Sequence, residues 1–293
     1  MIMWNFLKIG ISIFGIFYSS TALADTYKIL TSFPIGSVND IVARQLAIEL
    51  SDDTDKLVVE NKIGASGDLT LITALTDCNN GRKSLIFSWS SPFTINDIIN
   101  KDVKLDRSKF KVIAPMLDSP FILVSLYNLN ELKTKDRILA GVSGNTPKIQ
   151  LELFSKYINR SLDFIYYKTN NDANTALIKK EIDITLNSAT AFPPFIFNNE
   201  NIKIIGTTFK IGNYTSFEEL KMEELKYFNA SSNFATVKDC AFNNLDSKIT
   251  NILNNDNIKK LMNDNNIFIS NKSENQIDEY LLQTKNRMMP FLQ

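Results

Sequence analysis

Two short polar clusters have residue types and spacing that suit an anion. Ser37 and Asp40 follow Gly36 within the run 31–50, and Ser143, Asn145 and Thr146 surround Gly144. Each cluster lies between an apolar stretch of strand character and a stretch of helical periodicity. A helix that starts at a strand end presents unpaired backbone N–H groups and a positive dipole end to whatever lies beyond the sheet. The chemistry on offer is hydrogen bonding to an anionic group. The simpler alternative is that Ser37, Asp40 and Thr146 only cap their own helices.

Other chemistries have less support. The sequence contains no histidine, which excludes Ser-His-Asp and Cys-His nucleophiles, His-ligated metals and imidazole proton shuttles. A lysine-activated serine or a carboxylate pair stays open, drawing on Ser37, Asp40, Ser143 and Lys168, but no G-x-S-x-G turn is present. The loop Gly64-Ala65-Ser66-Gly67-Asp68 invites a phosphate reading. Neither G-x-G-x-x-G nor G-x-x-x-x-G-K-[ST] occurs, so no nucleotide cofactor is expected, and Ser66 is either a cap or close to a ligand. No metal is expected. The 32 basic and 32 acidic side chains balance and are interspersed without a basic stripe, which argues against nucleic acid.

The elements that would position these clusters read as follows. Lys8, an apolar core over 9–18 and Ala22-Leu23-Ala24 form the pattern of a cleavable secretory leader, with cleavage after Ala24. The apolar run is too short to span a membrane, and no cysteine follows for a lipid anchor. Strands are expected over 56–60, 84–88 and 110–117, and helices in the second part of 31–50, where Ile41, Val42, Leu46 and Leu50 recur at helical spacing, and over 69–75. A segment over 121–126 carries the chain into a second series: strands over 138–142, 163–167, 182–186 and 202–207, with helices over 148–158, 173–180 and 217–225. Thr146 is the expected cap and Pro147 the first turn of the helix over 148–158. A weak extended piece over 234–237 leads back, and helices over 245–253, 257–262 and 277–288 complete the chain.

Strands alternating with helices argue for parallel sheets covered by helices. Two such series without a flexible tether suggest two domains, 25–120 with 238–293, and 121–237, joined by crossing strands around a cleft that closes. Cys78 and Cys240 would both enter an oxidising compartment, where they either pair or stay as separate buried thiols.

The run Phe33-Pro34-Ile35-Gly36-Ser37-Val38-Asn39-Asp40, then Ile41-Val42-Ala43-Arg44, then Val58-Val59-Glu60-Asn61-Lys62-Ile63-Gly64-Ala65-Ser66-Gly67 resembles the substrate receptors of tripartite tricarboxylate transporters, the Bug or TctC-like proteins. Those show Phe-Pro-Pro-Gly-Gly-Ser-Thr-Asp and Val-Val-Glu-Asn-Arg-Pro-Gly-Ala-Gly-Gly at similar spacing. Ser143-Gly144-Asn145-Thr146-Pro147 is similar to their Ser-Gly-x-Gly-Ser/Thr-Pro loop, and Tyr167-Lys168 to part of Pro-Tyr-Lys-Gly.

The resemblance implies a periplasmic, monomeric receptor of the Venus flytrap fold. It would hold a small mono- or dicarboxylate between the domains and pass it to membrane subunits of a transporter, with no catalytic residue. Ile35, Ser37 and Asp40 would line the first side, Ser143, Asn145 and Thr146 the second, with Ser88 and Asn187 at strand ends. The chain departs from the pattern at Ile35, Ser37, Val38 and Asn39, and the Pro-Ala-Gly-Thr-Pro segment is not visible near Ala235. A sensor that has lost transport and a serine- or carboxylate-dependent enzyme are the rival readings.

Overall fold

Alternating apolar side chains on each strand feed two different cores, and this builds the first half of the molecule. The structure, a computed structural model, describes residues 25–52, 55–242, 244–270 and 272–292; the leader expected over 1–24 lies outside them. Strands β1 (Asp25–Thr31) and β2 (Asp55–Asn61) run parallel, joined by helix α1 (Val38–Leu50). Helix α2 (Asp68–Asn79) crosses to β3 (Ser84–Trp89), parallel to β1 on its other side. On β1, Ile29 packs in a core with Phe33, Leu46, Phe87 and Phe234, while Leu30 joins Leu71, Ile86 and Ile277 on the opposite face. A sheet covered on both faces needs apolar residues at every position, hence the unbroken runs.

Helices α3 (Ser91–Thr94) and α4 (Asn96–Ile99) follow, and then β4 (Phe110–Ser125) carries the chain across. Its opening residues pair with β9 (Asn229–Val237), and its last five with β7 (Ile184–Ser188). The segments expected over 110–117 and 121–126 are therefore one strand. The β4–β9 register shifts between Ile113 and Met116, the stretch that holds Pro115, which has no N–H to donate to a ladder.

The second half comprises α5 (Leu129–Thr134), β5 (Ile138–Val142), α6 (Asn145–Ile158), β6 (Leu162–Tyr166), α7 (Asn170–Ile178), β7 and β8 (Lys203–Thr207). Strand β5 lies parallel to β6 and β7. Ala230 of β9 packs in the core of this half, whereas Phe234 and Ala235 lie in those of the first. Helices α8 (Leu245–Leu253), α9 (Asp256–Asp264) and α10 (Glu274–Met288), with strand β10 (Phe268–Ser270), return to the first half, where Ile249 and Ile277 are buried. The strand order β2-β1-β3-β9-β4-β7-β5-β6 makes a two-domain α/β molecule whose halves share β4 and β9. Cys78, near the end of α2, and Cys240, just after β9, are joined in a disulfide with Cα atoms 5.7 Å apart.

Local expectations fail where packing overrides pattern. Residues 217–225 are turns rather than a helix: Lys221 is left-handed (φ 58°) and the Met222 N–H closes onto the Phe217 carbonyl. This places Phe217, Met222 and Leu225 together in the core without a helix. The extended piece over 234–237 is the end of nine-residue β9, and three-residue β10 was not anticipated.

Candidate ligand-binding site

The strand-end loops of both halves converge on a cavity of about 260 Å³. From the first half come Ser66, Trp89 and the 90–95 segment after β3. From the second come Ser143, Gly144, Asn145, Thr146 and Pro147 at the start of α6, with Asn170 and Ser188. Phe228, Ala230 and Ser231 line it at the start of β9, and Thr284 and Met288 on α10. No Lys, Arg, Asp or Glu lines it among the described residues.

Helix α6 forms because Ile149, Leu153, Phe154 and Ile158 bury one face, and it ends at left-handed Asn159, whose N–H bonds back to Ser155 and Lys156. Its start is unusual. The cap is Gly144 (φ 140°), with no side-chain cap hydrogen bond, so Thr146 is not the cap that the sequence suggested. Helical amides at such a start have no intrahelical acceptor, and here they open on the cavity together with Asn145 and Thr146. Ser143 donates a hydrogen bond to the Asn170 side-chain oxygen, which ties two loops of this half together.

The first loop is arranged differently. Ser37 caps α1, its hydroxyl accepting from the Asp40 N–H at 3.2 Å. The Asp40 carboxylate does not bond the Ser37 N–H, as a capping box would require, but accepts the Gly36 N–H at 2.9 Å. It also accepts from Arg44 Nε (2.9 Å) and Nη2 (3.1 Å) and from Asn61 Nδ2 (2.8 Å). Asn61 donates in addition to the Phe33 carbonyl. Burial pushes the Asp40 carboxyl up, but the bonds from Arg44, Asn61 and the Gly36 amide, with the Arg44 charge, outweigh it and hold it below the usual carboxylate range.

Of the residues singled out in the sequence, the structure brings Ser143, Asn145 and Thr146 to the cavity. Ile35 projects from the first loop, 76% exposed, and neither it nor Ser37 nor Asp40 is among the lining residues. Ser88 and Asn187 are buried behind the wall. Ser88 donates to Ser32 (2.9 Å), and Asn187 to Asn174 (2.8 Å).

The sequence reading missed Trp89, Ser90, Ser91 and Ser188. The run Ser90-Ser91-Pro92 after an apolar strand carries the same strand–loop–helix signal as the loops around Gly36 and Gly144. Ser66 is no cap. It sits at φ 53°, its carbonyl accepts from Ser91 and Asn96, and α2 starts instead from Gly67 at φ 98°. A Cβ on Gly67 would fall 2.8 Å from Pro92 Cγ and 2.9 Å from Ser88 Oγ, so glycine lets this loop close on the end of β3.

No family model matches the chain. A UPF0065 protein and protein BugT, both of Bordetella pertussis, are 23% and 25% identical over 194 and 193 residues, which is 59% and 57% of this chain. The chain spans about three fifths of the length of these curated relatives, 60% and 59%. MatC from Rhodopseudomonas palustris, solved with bound malate, superposes with a TM-score of 0.74 at 13% identity, covering 92% of this chain and 99% of MatC. BugD superposes with a TM-score of 0.66 at 17% identity, over 91% and 95%. The fold is that of the Bug and TctC solute-binding proteins. The resemblance read from residues 33–67 is thereby borne out, and with it the two-domain flytrap architecture. The cavity of this chain lies where strand-end loops of its two halves meet.

Proposed function

We propose that this chain is a periplasmic solute-binding receptor that captures a small organic carboxylate for a tripartite tricarboxylate-type transporter, without any chemical step. The observation that carries the reading is the start of α6, which lacks a side-chain cap and faces a cation-free cavity shared by two domains. Backbone amides and hydroxyls can solvate a carboxylate there. Its solved neighbour MatC holds malate, a carboxylate, in the same fold.

In this reading Ser143, Asn145 and Thr146 contact the anion. Ser37 and Asp40 shape the first loop, Ile35 forms its rim, and Ser88 and Asn187 support the strand ends from behind. The domains divide at 25–120 with 238–293, and 121–237. The chain is a monomer that meets membrane subunits of a transporter after removal of residues 1–24. Ligand touching both domains favours the closed form, so binding acts by population shift.

A thermal-shift screen of the purified protein against mono-, di- and tricarboxylates tests this. A ligand at about 100-fold its Kd adds about 2.7 kcal/mol, which raises Tm by roughly 5 °C or more for a chain of this size. No shift with any carboxylate at millimolar concentration would refute the receptor reading.

A further inference from the structure

We propose that the ligand carries a hydrogen-bond donor, a hydroxyl or an ammonium, at the end away from its carboxylate, because the cavity wall built by the 90–94 segment and β9 presents acceptors; this rests on the receptor reading above. A serine or threonine hydroxyl has one proton to give, and a carbonyl or carboxylate oxygen only accepts. On this wall those protons are already committed. Ser90 donates to the Ser231 carbonyl (3.0 Å), Ser91 to the Ser66 carbonyl (3.0 Å), Thr94 to the Ser90 carbonyl (3.1 Å) and Ser231 to the Asp118 carboxylate (2.6 Å). All four residues line the cavity, and their hydroxyls have lone pairs left to offer a ligand.

Ser231 shows how the direction is fixed. Its hydroxyl also lies 3.0 Å from the Tyr280 hydroxyl, and with the serine proton on Asp118 the phenol is the donor in that pair. The other carboxylate oxygen of Asp118, Oδ2, lies 3.5 Å from Lys272 Nζ, so Oδ1 stays with Ser231. Behind the wall, Asn96 and Asn233 are wholly buried. They turn their amide nitrogens to the Ser66 carbonyl (3.1 Å) and to Ser90 Oγ (2.7 Å), while their Oδ1 atoms have no partner among the described residues. Acceptors are in excess on this side, and donors on the other, at the uncapped start of α6. A ligand that satisfies both accepts at one end and donates at the other.

Isothermal titration of the purified protein compares 4-hydroxybutanoate with pentanoate, in which a methyl group replaces the hydroxyl. The hydroxy acid is expected to bind about tenfold more tightly. 4-Aminobutanoate, run beside it, tells an ammonium from a hydroxyl, and the same advantage of either acid over pentanoate supports the inference. Asp118→Asn tests the source of the polarity: with Lys272 beside it, the amide keeps its oxygen toward the ammonium and turns its NH2 to Ser231, which releases the serine proton to the cavity. The advantage is then expected to shrink to about twofold or less. If that variant does not fold, Ser231→Ala, which deletes the acceptor itself, carries the same expectation. Pentanoate binding as tightly as both donor acids overturns the inference and leaves the receptor reading intact, and an undiminished advantage in a folded variant refutes Ser231 as the acceptor. Binding of none of these three acids while other carboxylates bind overturns the inference alone, and binding of no carboxylate at all overturns both.

Discussion

Replacing Asp40 by asparagine separates a capping side chain from one that organises a whole loop. A plain cap is worth about 1 kcal/mol. Asp40 is 1% exposed and accepts four hydrogen bonds, from the Gly36 amide, Asn61 and two Arg44 nitrogens. Arg44 is 47% exposed, so its ion pair is screened and contributes only ~0.5–1 kcal/mol. The Gly36 and Asn61 bonds add about 1 kcal/mol each, and asparagine would turn an NH2 group toward at least one of these donors. The expected loss for Asp40→Asn is therefore roughly 2–3 kcal/mol, read by urea unfolding with the disulfide intact.

The loss also carries a pH signature. The folded carboxyl titrates below its unfolded value, about 3.9 for a free aspartate. The stabilisation is then fully present above that value and disappears as pH falls through the folded pKa. Wild type and variant should differ at neutral pH and converge in strong acid. A cost under about 0.5 kcal/mol, or a difference that persists unchanged into strong acid, would refute the assignment of Asp40 as the centre of this loop.

Other perturbations test the frame around the cleft. Replacing both Cys78 and Cys240 by alanine should lower stability by about 3–5 kcal/mol, since the bridge closes a loop of 162 residues, measured by denaturant titration. Gly67→Ala should cost roughly 1–3 kcal/mol through its φ of 98° and the Pro92 and Ser88 contacts, and weaken ligand binding in calorimetry because the 88–92 segment must move. Burial first, and then the Asp118 charge, push the Tyr280 phenol up to about 12. The unfolded chain ionises first between about pH 10 and that value, so stability falls there, and the tyrosine absorbance titration should show one late step missing in Tyr280→Phe.

Much of this fold was legible because its sheet is covered on both faces, so that runs such as 84–88 and 138–142 had to be apolar. Strand β9, NASSNFATV, carried little such signal. Its polar half serves the cleft and the crossing point, where Ser231 donates to Asp118 and Asn233 to Ser90. The run 217–225 had the reverse problem, with apolar residues near helical spacing but a buried Phe217 against Gly206 and a left-handed Lys221. For the site, the glycine loops were visible because they are contiguous. The rest of the lining was not, because Trp89, Ile99, Phe228 and Met288 meet only after both crossings of the chain. The Asp40 carboxylate turned away from the expected partner for a similar reason, since Asn61 comes from a neighbouring strand.

The Cys78–Cys240 bridge encloses every segment between α2 and the end of β9. A protease that cuts once anywhere in that interval severs the backbone but not the molecule, because both fragments remain tied through sulfur. The nicked protein would run as one band on a gel until reductant is added, and would keep the first half stitched together on both sides of the cut.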